Sequence, residues 1–389
     1  MEPETQSAGN GSGGLVKTII WLVVLVLVVG GFILYGSKGE KKEVVKEPIK
    51  IGFIGPLTGD LANIGSNTRA AVEIGVEEIN AAGGIGGRTL EVVYEDSQCT
   101  PAKSSSAINK LISVDKVVAI LGDTCSSATL AISPIAEQAK VPLISYASTA
   151  AKVTDAGDFI FRTVPSDIFQ SSFAAKYAFE KLGKKKAAIV YVNNDWGVGL
   201  EKGFNDAFKL AGGEVVFSEG YDSTSKDLRS LMSKVKSSKA DILYFLAMPG
   251  PAEIGIKQVR ELGLTLSILG ADPLEDITVW NNAGKSGEGV MFTTIGTNPS
   301  EEFKTKMKVK VSSDEIIYSG PYAYDGLKIL SQVIGEVGTD GTMIKDALYR
   351  ASYVGGASSP KIEFDVNGDP KEANYIIKVV KDGKPEVQQ

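Results

Sequence analysis

The stretch Val117–Thr149, VVAILGDTCSSATLAISPIAEQAKVPLISYAST, decides the fold. It reads as a buried strand (Val117–Gly122), a turn ending in Cys125-Ser126-Ser127, and a helix over about Ala128–Lys140. A second strand (Val141–Tyr146) follows and stops in Ala147-Ser148-Thr149. Both hydroxyl-rich turns follow the carboxyl end of an apolar strand. In a parallel α/β sheet that is the edge where ligands sit, and helix starts there offer free N–H groups to an anion. Two such turns side by side suit a carboxylate. The plainer alternative is that Ser126 and Ser127 only cap the helix.

Outward from this unit the same alternation continues. Before it come the strand IKIGFIGP from Ile49, a loop and helix carrying Val72, Val76 and Ile79 on one face, the strand TLEVVYED, and a helix over Pro101–Ser113. After FIFRTVPSD (159–167), a second cycle begins with the helix Gln170–Leu182 and the strand 186–195. It runs on through helices at Val198–Leu210, Lys226–Ser237 and Glu253–Leu262, with strands at 214–221, 241–248 and 266–272. GVMFTT (289–294), the region Pro299–Val311 and the helices Tyr322–Val337 and Thr342–Arg350 follow. The end reads as a hairpin, two alternating strands around Asn367-Gly368-Asp369. Such alternation in both halves predicts an α/β fold of two doubly wound parallel sheets. The glycines at 83, 84, 86 and 87 close a helix instead of opening one, and no Gly-Lys-Ser/Thr follows, so they read as a turn and not a phosphate loop.

Composition removes several functions. The 389 residues are 43% apolar with a formal charge of −6, and no basic face is apparent, so nucleic acid is not an expected partner. Histidine is absent, which excludes Ser-His-Asp and Cys-His chemistry and any His-ligated metal. Gly-Asp-Thr-Cys-Ser-Ser is no nucleophile elbow either, so no enzyme, metal or cofactor is expected. Cys99 and Cys125 each lie just past a strand, and a disulfide between them is the preferred reading, implying an oxidising compartment. The alternative is two buried free thiols.

Residues 1–17 read as a disordered polar tail. Thr18–Gly36 is an uncharged run of about the length of a bilayer core, read as a transmembrane anchor with Trp21 and Tyr35 near its two interfaces. Residues 37–47 form a charged tether. The lysines after the run (Lys38, Lys41, Lys42, Lys46) outnumber Lys17 before it, which taken literally puts the large domain in the cytoplasm. The cysteine pair points outward, and a large domain can be translocated regardless of that bias.

The series IKIGFIGPLTGDLANIG, INAAGGIGGRTLEVVYED, AILGDTCSSAT and KKAAIVYVNNDWGVGL resembles the leucine/isoleucine/valine-binding branch of type I periplasmic binding proteins, the receptors of amino-acid ABC importers. The resemblance covers about residues 48–385. It implies a clamshell of two lobes with three crossings near Arg162–Asp167, Thr293–Asn298 and Ser358–Ile362. Lobe one would be 48–163 with 296–358, and lobe two 164–295 with 359–389. It also implies the Cys99–Cys125 disulfide, an extracytoplasmic monomer, and ABC permease subunits in the membrane as partners.

Residue by residue, Ser126 resembles the family's carboxylate-binding serine. Ala147 and Thr149 match the positions that give a backbone carbonyl to the ammonium and a hydroxyl to the ligand. Asp272 aligns with the acid that pairs with the ammonium, and Trp196 with an aromatic that covers the ligand from lobe two. Met248 stands where an aromatic is frequent and Ile64 where a tyrosine often stands. With Tyr146, these apolar residues would leave a space beside the charged end. A zwitterion needs an anion site and a cation site a few ångströms apart, which this set supplies. The competing roles are a helix cap for Asp272 and core for Trp196; Tyr322, Tyr324 and Asp325 read as hinge packing. The expected function is capture of an amino acid, branched-chain or otherwise aliphatic, for an importer. A ligand-sensing ectodomain, or a receptor for an amide or other small carboxylate, is the alternative.

Overall fold

The computed structural model describes residues 1–4, 13–36 and 47–388. Most of the polar tail and of the charged tether, with Lys38, Lys41, Lys42 and Lys46, lies outside them. The chain falls into two compact units divided between Lys46 and Glu47. In the first, the uncharged run is helical within α1 (Gly13–Gly36), and its apolar side chains from Ile19 to Val29 are exposed. Among the described residues no helix is long and apolar enough to cross a membrane, so the expected span over Thr18–Gly36 is not shown.

The second unit holds two parallel-based sheets. Strands β1 (Ile49–Gly55), β2 (Leu90–Asp96), β3 (Ala119–Leu121), β4 (Leu143–Ser145) and β5 (Ile160–Arg162) form a parallel sheet in the order β2-β1-β3-β4-β5. Strands β6 (Lys186–Val192), β7 (Glu214–Tyr221), β8 (Ile242–Leu246), β9 (Ser267–Gly270) and β10 (Met291–Ile295) build the second. The short strands β11 (Ser352–Val354) and β12 (Lys361–Glu363) pair with each other, antiparallel. Strands β13 (Tyr375–Lys381) and β14 (Lys384–Val387) then add an antiparallel edge, giving β14-β13-β10-β9-β8-β6-β7.

The strand period of two sorts the core of the first lobe into two layers. Ile51 and Phe53 of β1 pack with Val72 of α2 (Ala62–Ala81) and Leu330 of the helix Ser319–Val337. Ile54 packs on the other side with Ile108 of α3 (Pro101–Lys110) and Ile132 of α4 (Ser126–Ala139). Each of these side chains is fully buried or nearly so and stabilises the lobe by about 2 kcal/mol. The second lobe packs α5 (Asp167–Lys176) and α6 (Asp195–Leu210) against β6 and β8 through Ala174, Phe204, Phe208 and Tyr244. Two glycines let a helix start lie against the strand edge in each lobe. A side chain at Gly65 of α2 would strike the Pro56 carbonyl, and one at Gly197 of α6 the Val192 carbonyl.

The chain passes from the first sheet to the second after Arg162, returns after Ile295, and passes a third time between Pro370 and Tyr375. That last passage is later than the expected Ser358–Ile362. Residues 361–370 stay on lobe one, where Phe364 packs edge-on against Phe161 and the Gly368 carbonyl accepts from the Arg162 N–H at 3.0 Å. The hairpin expected around Asn367-Gly368-Asp369 forms at its tip only: Phe364 and Pro370 make an antiparallel bridge and the Asp365 N–H donates to the Asp369 carbonyl at 2.8 Å, but the turn docks on Arg162 and β12 pairs with β11 instead of β13. A longer hairpin joins β13 to β14 through Asp382-Gly383. Both residues have positive φ (49° and 74°), which a two-residue turn matching the twist of its strands requires.

Cys99 and Cys125 are bonded, with Cα atoms 5.4 Å apart. The bond ties the turn after β2 to the residue before α4, and closing that loop contributes roughly 3 kcal/mol by chain entropy. At the hinge a cavity of about 510 Å³ opens between Thr163, Asn298, Ser358 and Asn374. It holds none of the expected ligand residues.

Candidate functional site

The two hydroxyl-rich turns do lie side by side, because β3 and β4 are neighbours in the sheet. Their hydroxyls knit them together. Ser145 and Ser148 each donate to the Asp123 carbonyl (2.9 and 3.0 Å), and Ser148 shares a hydrogen bond with Thr129 at 2.7 Å. Ser126 is the first residue of α4, not its cap. Cys125 holds the cap position without a side-chain bond, and the Ser126 hydroxyl accepts from the Ala150 N–H across the turn at 3.2 Å. The first N–H groups of α4 have no partner within the helix, so Ser126 presents a hydroxyl and a helix start at one place.

From behind, Arg162 fixes the second turn. This fully buried guanidinium donates to the carbonyls of Ser148, Thr149 and Ala150 at 3.0–3.3 Å. Its other edge grips both Asp369 oxygens at 2.6 Å. The Thr149 carbonyl also accepts from the Asp167 N–H at 2.8 Å, which leads the chain directly into α5.

Opposite stands an acidic pole. Asp272 is buried, and its oxygens accept from Gln170 (2.9 Å) and from the Tyr318 hydroxyl (3.0 Å). It does not act as a side-chain cap. That role belongs to Asp276, which accepts from the Thr278 N–H at 2.9 Å. Burial pushes the Asp272 carboxyl up to about 6, against the pull of Gln170 and Tyr318, and Glu275 adds to the rise. Asp167, the first residue of α5, is buried beside it. Burial first, and then the Asp272 charge, raise its carboxyl well above the ordinary range, while the nearby Thr149 hydroxyl and Arg162 act the other way. Among the described residues eight buried side-chain atoms lack a hydrogen-bond partner. Five of them, on Thr149, Asp167, Gln170 and Tyr244, gather here, since the Tyr244 hydroxyl feels both carboxylates. The Thr149 hydroxyl is near Asp167 without bonding geometry to it.

The apolar residues are placed as follows. Trp196, second residue of α6, is buried in the lobe-two core, while Met248 is half-buried before the helix Pro249–Glu261. The start of α6 approaches lobe one, where Asp195 pairs with Lys152 at 2.8 Å. Ile64 is buried in the first turn of α2, beside Asn63, which bonds across to Asp276 at 2.9 Å. Tyr146 is a lobe-one core residue. Its ring stacks on Phe53 and its hydroxyl is spent on the Ile54 carbonyl at 2.9 Å. Ala147 is buried in the same cluster. Tyr322 and Asp325 bond at the hinge, to the Gly296 carbonyl and to the N–H groups of Ala357 and Ser358.

Two parallel-based lobes meeting over hydroxyls on one side and acids on the other is an arrangement with known relatives. The family described as periplasmic binding protein matches residues 48–384. The chain belongs to that family. Within it, this periplasmic binding protein falls in the leucine/isoleucine/valine-binding branch. It is 32% identical over 249 residues to the Leu/Ile/Val-binding protein of Escherichia coli, an alignment taking in 64% of this chain and 67% of that one. The leucine binding protein LivK of Thermotoga maritima superposes with a TM-score of 0.82 at 29% identity, covering 88% of this chain and 98% of that one. For the branched-chain amino acid transporter substrate binding protein LivJ of Streptococcus pneumoniae, solved with isoleucine, the score is 0.80 at 27% identity, covering 88% and 99%. Proteins of this family are solute receptors and not enzymes.

Sequence reasoning passed over Asp167, Gln170, Tyr244 and Tyr318 in this periplasmic binding protein. A signal for the first existed: Ser166-Asp167 after Pro165 is an N-cap followed by an acid in the first turn, and the Ser166 hydroxyl does accept from Ile168. It starts α5 three residues before the expected Gln170 and buries Asp167 in the seam.

The raised Asp272 carboxyl has a consequence for stability. A carboxyl raised on folding favours the fold below its ordinary pKa of about 4, and that contribution is lost as pH rises through about 6. Without ligand, the protein is expected to melt higher at pH 5 than at pH 7.5, by about 1 kcal/mol from this group. Calorimetry at the two pH values checks it, and Asp272→Ala should remove the gain.

Proposed function

We propose that this chain is an extracytoplasmic receptor that closes its two lobes on an amino acid and hands it to an ABC importer. The observation that carries the reading is the gathering of unpartnered buried polar atoms between Thr149, Asp167, Gln170 and Tyr244, around Asp272. Buried polar groups are otherwise bonded, so such a cluster calls for a ligand rich in donors. An ammonium meets that demand, with Asp167 and Asp272 as counter-charges and the Thr149 hydroxyl and Ala147 carbonyl as further acceptors. Ser126 and the start of α4 take the carboxylate. Trp196, Met248 and Ile64 face the aliphatic side chain. Closure is favoured by ligand because only the closed form brings both poles to it.

The Cys99–Cys125 disulfide supports placement outside the cytoplasm. The uncharged Thr18–Gly36 run is proposed as the membrane tether on its sequence. A protease that cannot cross the membrane should then shave the receptor domain from intact cells; protection would overturn that placement.

The binding test uses the full chain in detergent, titrated with leucine, isoleucine, valine, other amino acids and simple amides. Tryptophan fluorescence and melting temperature are followed. An aliphatic amino acid is expected to move both signals, and if no amino acid moves either, the ligand class is wrong.

A further inference from the structure

One hexapeptide of lobe two, Asp272–Ile277, makes four hydrogen bonds to lobe one. Asp272 accepts from the Tyr318 hydroxyl at 3.0 Å and Glu275 from the Tyr318 N–H at 2.9 Å. Asp276 accepts from the Asn63 amide at 2.9 Å, and the Ile277 N–H donates to Glu315 at 2.7 Å. Only the first of these touches the ligand pole. The other three are made by protein on both sides and break when the lobes part.

The charges make the arrangement precarious. Glu315 of lobe one faces Glu275 and Asp276 of lobe two, and burial, then these neighbours, raise its carboxyl. The cation within reach, Lys378, is paired with Glu275. What holds Glu315 and Asp276 together is the Asn63 amide, which donates to Asp276 at 2.9 Å and to Glu315 at 3.2 Å. Asn67 in turn fixes the Glu315 segment, donating to its carbonyl at 2.9 Å and accepting from the Ile317 N–H at 3.1 Å.

We propose that Asn63 and Glu315 are positioning residues for closure: with Asp276 and Ile277 they form a latch that holds a fraction of the receptor closed before solute arrives. The latch rests on the clamshell reading above but on no particular solute. An Asn63→Asp change replaces the bridging donor by a third carboxylate, and like charges so placed repel one another across the seam. Glu315→Gln in the same chain restores one donor, leaving the repulsion from Asp276.

The test is the interlobe distance in the ligand-free full chain, read by pulsed electron resonance between spin labels at the exposed Lys103 and Lys202. The parent should show a closed population. Asn63→Asp should lower it about tenfold, the change produced by about 1.4 kcal/mol, and adding Glu315→Gln should recover about half of the loss in free energy. Glu315→Ala, which places no new charge, should also shift the distribution toward the open form. A parent with no closed population, or a distribution that Asn63→Asp and Glu315→Ala leave unchanged, overturns the latch. Both readouts are made without any ligand, so a failure of the amino-acid titration leaves them intact.

Discussion

The Asp167→Asn variant is expected to melt higher than the parent in the absence of ligand and to bind its amino acid about 1000-fold more weakly, a loss of about 4 kcal/mol. Both effects come from one fact. Neither Asp167 oxygen has a hydrogen-bond partner, the residue is buried, and Asp272 lies close enough to repel its charge. Ionised and unpaired, such a carboxylate opposes folding, and a neutral amide of the same shape relieves most of that. The bound ammonium is what makes the charge favourable, so removing it leaves the cation with Asp272 alone. Calorimetry without ligand, and titration with whichever amino acid the parent binds, give the two numbers. A loss of stability with unchanged affinity would make Asp167 a structural residue and move the cation pole elsewhere. The opposite signs are what separate a site residue from a core residue here, since a core residue loses both together.

The contrast between Asp272 and Asp167 shows what a sequence can reveal of such a site. The strand that leads to Asp272 is apolar and the turn after it carries the acid, so the position at the sheet edge is legible from the pattern alone. Ser126, Ala147 and Thr149 are legible for the same reason, as are the two sheets, whose strands alternate with amphipathic helices. Asp167 is not, because it lies in a passage between lobes, where the groups that bear on it come from Tyr244 of β8, Asp272 just past β9 and Tyr375 of β13. Its role depends on groups far away in sequence, such as Asp272, whose charge bears on it and which in turn accepts from Gln170. The C-terminal region failed for a different reason. Asn-Gly and Asp-Gly are equally good turn signals, and two of them compete between Asn367 and Gly383. Only the tertiary pairing of Asp369 with Arg162 decides that the first ends in a single bridge docked on lobe one and the second carries the long hairpin. Tyr146 shows the same limit: an aromatic at the end of a strand reads as pocket wall, yet its hydroxyl belongs to the Ile54 carbonyl.

Arg162→Met is expected to cost about 3–5 kcal/mol of stability, because it removes one partner of a buried ion pair and leaves the other unpaired. The guanidinium is wholly buried, while the Asp369 side chain is 13% exposed. The loss extends past Asp369. Arg162 also donates to the Ser148, Thr149 and Ala150 carbonyls; the second keeps the Asp167 N–H and the third the Val153 N–H, while among the described residues the Ser148 carbonyl has no other donor. For a cooperative unit of this size that free energy corresponds to a fall of roughly 5 °C in melting temperature. Adding Asp369→Leu to Arg162→Met removes the stranded carboxylate and should recover part of the stability, since an apolar pair of similar volume replaces a buried ion pair at little cost. It should not recover ligand affinity. The turn that carries Ala147 and Thr149 is held in place by the three carbonyl bonds, and methionine has no donor to offer them. Affinity that returns with stability in the double variant would mean that Arg162 merely keeps the fold together, and that the turn holds its shape through its own hydroxyl network of Thr129, Ser145 and Ser148.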